Sequence, residues 1–437
     1  MKFGGTSVGS AQRIKNVAKL ITERGRNIVV LSAMAGTTNT LVEISEYLKC
    51  GNADGAKETL NGLIRKYSVV FEELFEGCDE RYKSATINAV NECFGTIRNY
   101  TETPYSTAEK TILAQGEKMS TALMNGYLQS QGVKVVMIDA LDFMRIDANL
   151  EPEIGFIRDR ITPLLTRYAE ADLILTQGYI CRNSTGGIDN LQRGGSDLTA
   201  SLIGAAINAE EIEIWTDIDG MHNNDPRYVE DTKPVSHLHF EEAAELAYFG
   251  AKILHPACVL PAKLNNIPVR LLNTMQPEAQ GTIIDNQFSA SQKVIKAVAA
   301  KDNITAIKIK SGRMLLAYGF LHKVFEIFET YKVPIDMIAT SEVGVSVTID
   351  DDRNLQAIVD ELKKFATVTV DKDMVIICVV GDLVWHNSGL ETLALDAMRD
   401  IPVRMISYGG SDHNISFLIR KEDKVSALNS LSNQLFK

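Results

Sequence analysis

Short apolar runs alternate with amphipathic helical patterns through the first half of the chain, and this alternation narrows the possible folds more than any other feature. Strands that are separated by helices pair into a sheet covered by those helices, so the pattern predicts an α/β fold. Residues 182–193, rich in Gly, Asn and Ser, predict a hairpin before a helix that begins near Ser196. The predicted strands are Asn27–Leu31, Val133–Ile138, Leu173–Thr176, Glu211–Trp215 and Val269–Leu272, and the predicted helices are Leu41–Lys49, Ala53–Glu76, Tyr82–Asn99 and Glu109–Gln131.

The second half of the chain contains a weak internal repeat. Val333–Ile338 recurs as Ile401–Ile406, and both copies contain Pro-x-x-Met-Ile. Each copy follows an apolar helical pattern (Phe320–Thr330 and Leu390–Arg399) and precedes an alternating strand (Val343–Ile349 and Asn414–Ile419), which predicts two small α+β modules. A composition shift at Thr274–Ser291 predicts a linker. We therefore predict one domain at 1–285 and a pair of modules at 286–437, the first at about 310–370 and the second completed by 371–437.

The composition is that of a folded, acidic protein. A net charge of -11 and a pI near 5.3 argue against nucleic acid or an anionic membrane as the main partner. The six cysteines are scattered without C-x-x-C spacing, which predicts reduced thiols and no metal site. No apolar run reaches membrane length and no signal peptide is expected before the first motif, so the sequence predicts a cytoplasmic location.

The chain begins with a lysine directly before a glycine turn. Lys2 precedes Gly4 and Gly5, and an amphipathic stretch, Ser10–Arg24, follows the turn. A glycine pair lets backbone N–H groups approach an anion closely, and a helix start adds a favourable dipole. A P-loop is excluded because Ser10 occupies the position where that motif requires lysine. The turn therefore predicts phosphate binding of another kind, with Lys2 as a point charge.

Further glycine-rich turns stand where strands end or helices begin, the positions at which α/β proteins bind ligands. Taken singly, each is also compatible with an ordinary capped turn, and Glu117 with a solvated helical charge. Their occurrence in one domain favours a shared anion-binding site. The motifs are Ser32–Asn39, Gly116-Glu117, Arg193–Asp197, Thr216–Gly220 with Arg227, and Phe249–Pro256.

In this order the motifs resemble those of aspartate kinases, in the amino acid kinase superfamily, and the repeated modules are similar to the tandem ACT domains of that family. The resemblance spans nearly the whole chain. It implies a three-layer αβα sandwich followed by two ferredoxin-like ACT modules. It also implies ATP- and Mg²⁺-dependent phosphorylation of the β-carboxylate of L-aspartate to 4-phospho-L-aspartate, the first step of lysine, threonine and methionine biosynthesis.

The resemblance also implies a role for each matching residue. Glu117 would face the ammonium group of aspartate and Arg193 its α-carboxylate. Lys2 would meet the transferring phosphoryl group, and no protein ligand is assigned to the metal. The catalytic set is Lys2, Asp197 and Lys252; the aspartate set is Ser32, Thr38, Glu117, Arg193 and Ser196; the nucleotide set is Lys2, Gly4, Gly5, Ser7, Thr216, Asp217, His222, Arg227 and Lys252.

Within the family, the first module is similar to the effector-binding pattern of the lysine-sensitive class. A helix start at Phe320 would leave N–H groups for an effector carboxylate, and Asp336 and Glu342 would meet its ammonium groups. The resemblance implies a homodimer through the ACT domains. Whether lysine, threonine or neither inhibits stays open. The effector set is Tyr318, Gly319, Phe320, Leu321, Asp336, Thr340, Ser341 and Glu342.

Three positions depart from the family pattern. Only Met1 precedes Lys2, so either the first strand is very short or the start lies upstream. Gln192 and His222 stand where Gly and Tyr are common, and we expect modest changes in ATP contacts. Two alternatives remain: another amino acid kinase that acts on a glutamate-like substrate, and a non-catalytic ACT-type amino-acid sensor.

Overall fold

The computed structural model describes residues 1–102, 109–192, 194–250, 255–287, 294–311, 318–383 and 389–436. In chain order the strands are β1 (Lys2–Phe3), β2 (Asn27–Leu31), β3 (Val135–Met137), β4 (Leu173–Gln177), β5 (Ile180–Arg182), β6 (Ile188–Asn190), β7 (Ile212–Thr216), β8 (His237–His239), β9 (Val269–Asn273), β10 (Thr282–Asp285), β11 (Ile295–Lys310), β12 (Ile338–Ser341), β13 (Gly344–Ile349), β14 (Thr367–Gly381), β15 (Val403–Tyr408) and β16 (Asn414–Arg420).

The helices are α1 (Ala11–Glu23), α2 (Thr37–Lys49), α3 (Ala53–Leu74), α4 (Glu80–Glu102), α5 (Glu109–Ser130), α6 (Ile154–Arg167), α7 (Gly195–Ile207), α8 (Phe240–Tyr248), α9 (Pro256–Leu264), α10 (Phe320–Thr330), α11 (Leu355–Lys363), α12 (Leu390–Ala397) and α13 (Lys424–Leu435). The chain divides into two compact units. Unit 1 comprises Met1–Met221 and Ile253–Gln287, and unit 2 comprises His222–Lys252 and Phe288–Lys437.

Unit 1 is built on a mostly parallel sheet. Its strands lie in the order β3-β4-β2-β1-β7-β9-β10, and β10 runs antiparallel to β9. Parallel strands that connect through helices must be covered by those helices, which explains why β4 is buried along its whole length. Phe3 stacks on Trp215 with ring centroids 5.7 Å apart and anchors the two-residue β1 between β2 and β7. The predicted α/β fold is confirmed.

The parallel arrangement brings the carboxyl ends of the central strands to one edge of the sheet. β1, β2, β4 and β7 are mutually aligned, so the residues that follow Phe3, Leu31, Gln177 and Thr216 all emerge at that edge. Open α/β sheets bind ligands at this edge. The predicted hairpin is also present, because β5 pairs antiparallel with β6 and leads into α7.

Unit 2 contains one six-stranded sheet in the order β12-β13-β11-β14-β16-β15, with antiparallel pairing throughout. The order is symmetric about the β11–β14 pair, as two copies of one module require. Gly319 and Gly389 occupy equivalent left-handed positions before α10 and α12. The predicted duplication of an α+β module is confirmed.

Two features differ from the sequence-based expectations. The predicted linker at Thr274–Ser291 contains β10, which pairs with β9 through residues such as Ile284 and Val269. The segment His222–Lys252 groups with unit 2 although it lies inside the predicted 1–285 domain. Within unit 2, Asn224 Nδ2 donates to the Leu428 carbonyl at 3.0 Å. The domain boundaries stay a prediction.

Candidate active site

A cleft of about 910 Å³ lies at the carboxyl edge of the unit 1 sheet. Three of the predicted glycine-rich turns and helix α5 line it. The structure thereby brings together motifs that are far apart in sequence. The lining residues are Lys2, Gly5, Thr6, Ser32, Ala33, Met34, Ala35, Gly36, Thr38, Asn39, Lys110, Glu117, Tyr179, Asn190, Gln192, Gly194, Gly195, Ser196 and Asp197.

Two glycines in these turns allow contacts that a side chain would prevent. A Cβ at Gly5 would lie 2.7 Å from the Ala33 carbonyl oxygen, so only glycine lets the first two turns meet. Gly194 has φ of 74° and its Cβ would lie 2.5 Å from the Cβ of His255. Glycine is therefore required both for close approach of the turns and for the left-handed entry into α7.

Lys2 and Asp197 form an ion pair in the cleft, with Lys2 Nζ 2.5 Å from Asp197 Oδ1. β1 holds Lys2 between β2 and β7, while Asp197 lies in the first turn of α7. The side chains are only 11% and 14% exposed. Because an ammonium group has three N–H donors, pairing with one carboxylate oxygen leaves donors for a phosphate oxygen.

Glu117 is a buried carboxylate with one unpartnered oxygen. Its Oε1 accepts a hydrogen bond from the backbone N–H of Ala33 at 3.2 Å, and its Oε2 has no partner in the structure. Burial raises the pKa of Glu117 to about 8. A buried carboxyl group of this kind is satisfied by a cation, and an ammonium group of a ligand fits that requirement.

Two helices begin at the cleft with no side-chain cap. Gly36 precedes α2 and Gly194 precedes α7, and neither N-cap position supplies a side-chain acceptor. The first N–H of each helix donates to a carbonyl of the turn before it, so the N–H groups that follow in the first turn are the candidate donors to an anion, and both helix dipoles favour negative charge. Thr38 and Ser196, which lie within the first turns of α2 and α7, add hydroxyl groups to this cleft.

Several predicted nucleotide residues lie elsewhere. The Ser7 hydroxyl is fully buried against Thr274 Oγ1 at 2.7 Å, and the backbone N–H of Gly4 donates to Trp215. Thr216 Oγ1 lies 3.2 Å from Asp217 Oδ1 at the end of β7. Of the predicted residues, Arg193 and Lys252 lie outside the described part of the chain.

His222 and Arg227 belong to unit 2. His222 Nδ1 lies 2.9 Å from Thr232 Oγ1, and the Arg227 guanidinium contacts both carboxylate oxygens of Asp225. Burial acts to raise the pKa of Asp225, but the hydrogen bonds from Arg227 together hold that pKa below its usual value. The nucleotide roles of these residues stay predictions.

The predicted effector residues occupy the first module of unit 2. Gly319, with φ of 83°, precedes α10 without a side-chain cap, and Tyr318 and Leu321 are exposed. Thr340, Ser341 and Glu342 are exposed as well. The effector residues therefore present an uncapped helix N-terminus and polar groups on an accessible surface.

The side chain of Asp336, in the same effector set, is buried. Its Oδ1 accepts from Tyr248 at 2.7 Å and from Lys301 at 2.6 Å, while Oδ2 has no partner in the structure. Burial raises the pKa of Asp336, and Lys301 opposes that rise. The sequence-based assignment did not foresee Tyr248 or Lys301, because only the fold brings α8 and β11 to this carboxylate.

Other cleft residues were also missed from sequence. Tyr179 follows β4, has φ of 68° and lines the cleft. A non-glycine residue in this conformation is strained, which is a feature of functional sites. Burial raises the pKa of Tyr179 to about 12. The position of Tyr179 at the carboxyl end of a central strand could have indicated from sequence that it lines the cleft. Nothing in the sequence indicated this for Lys110 and Asn190.

The described ranges contain neither a cluster of protein ligands for a metal ion nor a helix able to cross a membrane. Among those residues no group of three or more His, Cys, Asp or Glu side chains is placed to hold a metal ion. None of the helices in the same ranges combines the length and apolarity needed to cross a membrane.

Comparison with known proteins agrees with this geometry. A model of the amino acid kinase family matches residues 1–273, and an ACT domain model matches 377–435. Aspartokinase 1, chloroplastic, of Arabidopsis thaliana is 34% identical, and the match covers 100% of this chain and 80% of the relative. Lysine-sensitive aspartokinase 3 of Escherichia coli K12 is 32% identical, with 100% and 98% covered.

Solved structures agree as well. The crystal structure of E. coli aspartokinase III in complex with aspartate and ADP matches with a TM-score of 0.86 and 31% identity, covering 100% of this chain and 99% of that one. The same enzyme in complex with lysine and aspartate matches with a TM-score of 0.79 and 32% identity, again covering 100% and 99%. The chain therefore belongs to the amino acid kinase family, among its aspartokinases. The resemblance inferred from motif order is confirmed.

Proposed function

We propose that this protein transfers the γ-phosphoryl group of ATP to the β-carboxylate of L-aspartate, forming 4-phospho-L-aspartate. The observation that carries the proposal is the cleft itself, where the Lys2–Asp197 pair and the half-satisfied Glu117 lie beside two uncapped helix N-termini. This set offers a cation for phosphate, an anion for ammonium and N–H donors for carboxylate or phosphate. E. coli aspartokinase III, the structural relative, binds aspartate and ADP.

The chemistry asks the protein for positioning and charge stabilisation rather than covalent help. The β-carboxylate of aspartate is already a nucleophile, so no general base is required. Glu117 would hold the substrate ammonium, and Ser32, Thr38, Arg193 and Ser196 would orient its carboxylates. Lys2, fixed by Asp197, would neutralise charge that develops on the transferring group.

Nucleotide and metal complete the proposal. Thr216, Asp217, His222, Arg227 and Lys252 would contact ATP, together with the glycine turn at Gly4 and Gly5. Mg²⁺ would neutralise phosphate charge when bound with ATP. The donor set fits it, because Asp197 supplies a carboxylate in the cleft and Mg²⁺ ordinarily takes its remaining oxygens from phosphates and water.

We also propose feedback inhibition by L-lysine at the first ACT module. The unpartnered Oδ2 of Asp336 fits an effector ammonium, and the uncapped start of α10 fits its carboxylate. E. coli aspartokinase III has been crystallised with lysine and aspartate.

We further propose a homodimer formed through the ACT modules and a cytoplasmic location. Six unpaired thiols, four of them buried, support a reducing compartment.

The non-catalytic sensor alternative would require a defect in the kinase residues. The two-residue β1 was the candidate defect, yet it places Lys2 against Asp197. A glutamate-like substrate is one methylene longer than aspartate. The alternative that the enzyme acts on such a substrate is tested by comparing glutamate with aspartate as substrates.

The proposal is tested by ATP turnover with aspartate, trapping the acyl phosphate with hydroxylamine. We expect aspartate-dependent hydroxamate, little product with glutamate, and suppression by lysine. Product without suppression would contradict the effector assignment alone. ATP binding without product would contradict the kinase assignment and support the sensor.

A further inference from the structure

Lys110 connects helix α5 to the β5–β6 hairpin at the cleft. Its Nζ donates to Asn190 Oδ1 at 2.8 Å and lies 3.2 Å from Asp189 Oδ1. Asn190 is buried and the Asp189 side chain is only 18% exposed, so Lys110, whose own side chain is 44% exposed, ends on two partners that are largely shielded from solvent. Both Lys110 and Asn190 line the cleft, and none of the roles assigned above uses either of them.

The same helix carries Glu117. Positions 110 and 117 are two helical turns apart, which places them on one face of α5, and both side chains line the cleft. The clasp formed by Lys110 with Asp189 and Asn190 therefore joins β6 to the helix that bears the proposed ammonium-binding carboxylate.

The hairpin in turn leads into the third glycine turn. Leu191, the residue after β6, donates its backbone N–H to the Tyr179 carbonyl at 2.7 Å. A Cβ at Gly195 would lie 2.6 Å from Tyr179 Cδ2, so Gly195 packs closely on the same tyrosine. A shift of β6 would consequently pass to the start of α7, where Ser196 and Asp197 line the cleft.

We propose that Lys110 is a positioning residue for the aspartate substrate. Its contacts with Asp189 and Asn190 hold β6, and through Tyr179 the start of α7, at the distance from Glu117 that suits the ammonium and carboxylate groups of one small amino acid. This inference rests on the proposed function, because it assigns the two ends of the cleft to the polar groups of aspartate.

Lys118 provides a matched control on the same helix. Its Nζ lies 3.2 Å from Asp139 Oδ2, the same separation as in the Lys110–Asp189 pair, but neither residue lines the cleft. Lys118→Met therefore removes an ion pair of α5 whose partner lies outside the β5–β6 hairpin.

The experiment compares steady-state kinetics of the full-length protein with Lys110→Met, Lys110→Arg, Asp189→Asn and Lys118→Met. For Lys110→Met we expect the KM for aspartate to rise about tenfold, because hydrogen bonds to a charged group are lost, with kcat and the KM for ATP within about twofold. Lys110→Arg should recover most of the loss. Asp189→Asn should show a smaller rise, since the Asn190 contact remains.

The outcomes separate the inference from the proposed function. If the parent protein shows no aspartate-dependent turnover, the proposed function fails. If the parent is active but Lys110→Met matches Lys118→Met in its KM for aspartate, the inference is overturned. If circular dichroism shows that Lys110→Met is poorly folded, Lys110→Arg and Asp189→Asn decide the question. An unchanged KM for aspartate in both variants overturns the inference. A raised KM for aspartate in Asp189→Asn supports it.

Discussion

At the scale of single residues, Glu117 is the most informative side chain of the cleft. It is buried, one of its oxygens has no partner, and burial raises its pKa to about 8. A buried carboxyl group with a raised pKa is a candidate functional group, and the family resemblance implies the substrate ammonium as its partner.

We predict that Glu117→Gln raises the KM for aspartate at least about tenfold at pH 8, because the substrate ammonium loses its charged partner. In the parent protein, the KM should fall as pH rises from 6 to 8, since the ionised carboxylate is the form that binds. Initial rates over that range measure both effects. A parallel pH profile in the variant would contradict the assignment.

The same pKa predicts a change in stability with pH. A carboxyl group whose pKa is raised by folding supports the folded state below its unfolded pKa and loses that contribution as pH rises through the folded pKa near 8. Without ligand, Glu117→Gln should therefore gain thermal stability relative to the parent between about pH 5 and 8. Thermal melts at these pH values measure the difference, and a difference that stays constant with pH would contradict titration of Glu117 as its cause.

At the scale of elements, the glycine turns depend on close backbone approach. We predict that Gly5→Ala strongly lowers kcat, because its Cβ would lie 2.7 Å from the Ala33 carbonyl and force the first two turns apart. Gly95→Ala in α4 is the matched control, since its Cβ meets nothing within 4 Å and helix propensity should make it slightly stabilising. Equal kcat in the two variants would show that the turns tolerate separation.

Helix α8 connects to the effector residues through one hydroxyl group. We predict that Tyr248→Phe keeps uninhibited activity and lysine binding but raises the residual activity at saturating lysine. The reason is that the phenyl ring remains, while the hydrogen bond to Asp336 is lost. Titration calorimetry and inhibition curves separate binding from coupling. Tyr331→Phe in the same module is the control, and identical residual activity in both variants would contradict a coupling role.

These elements show what could be predicted from sequence. Periodicity located α10 at Phe320–Thr330 correctly, because the alternation of core and surface is local. The Lys2–Asp197 pair was predicted only as two members of one site, since their contact depends on β1 lying between β2 and β7. Lys110 carried no local signal, because its partners are on a distant hairpin.

At the scale of the whole molecule, the path of His222–Lys252 was beyond sequence reasoning. The segment lies within the match to the amino acid kinase family, yet it packs within unit 2. It carries His222 and Arg227, two proposed nucleotide contacts, and also Tyr248, which hydrogen-bonds to the proposed effector residue Asp336. One continuous segment therefore carries two proposed nucleotide contacts and a residue that contacts the proposed effector site.

The sheet of unit 2 also argues for self-association. Its terminal strands β12 and β15, which lie near each other, expose Ile338, Ile406 and Tyr408, and exposed apolar residues that lie together favour association with another apolar surface. We predict that Ile338→Asp converts the proposed homodimer into a monomer, because a charge on the edge opposes burial.

Sedimentation velocity measures this change, and Val425→Asp is the matched control. Val425 lies on α13, which packs against the central strands β11 and β14, with a similar exposed fraction of 48% against 44% for Ile338. The control should stay dimeric. If Ile338→Asp also stays dimeric, the subunits must pair through a different surface. If it is a monomer that keeps turnover but is no longer inhibited by lysine, the response to lysine depends on the β12 edge.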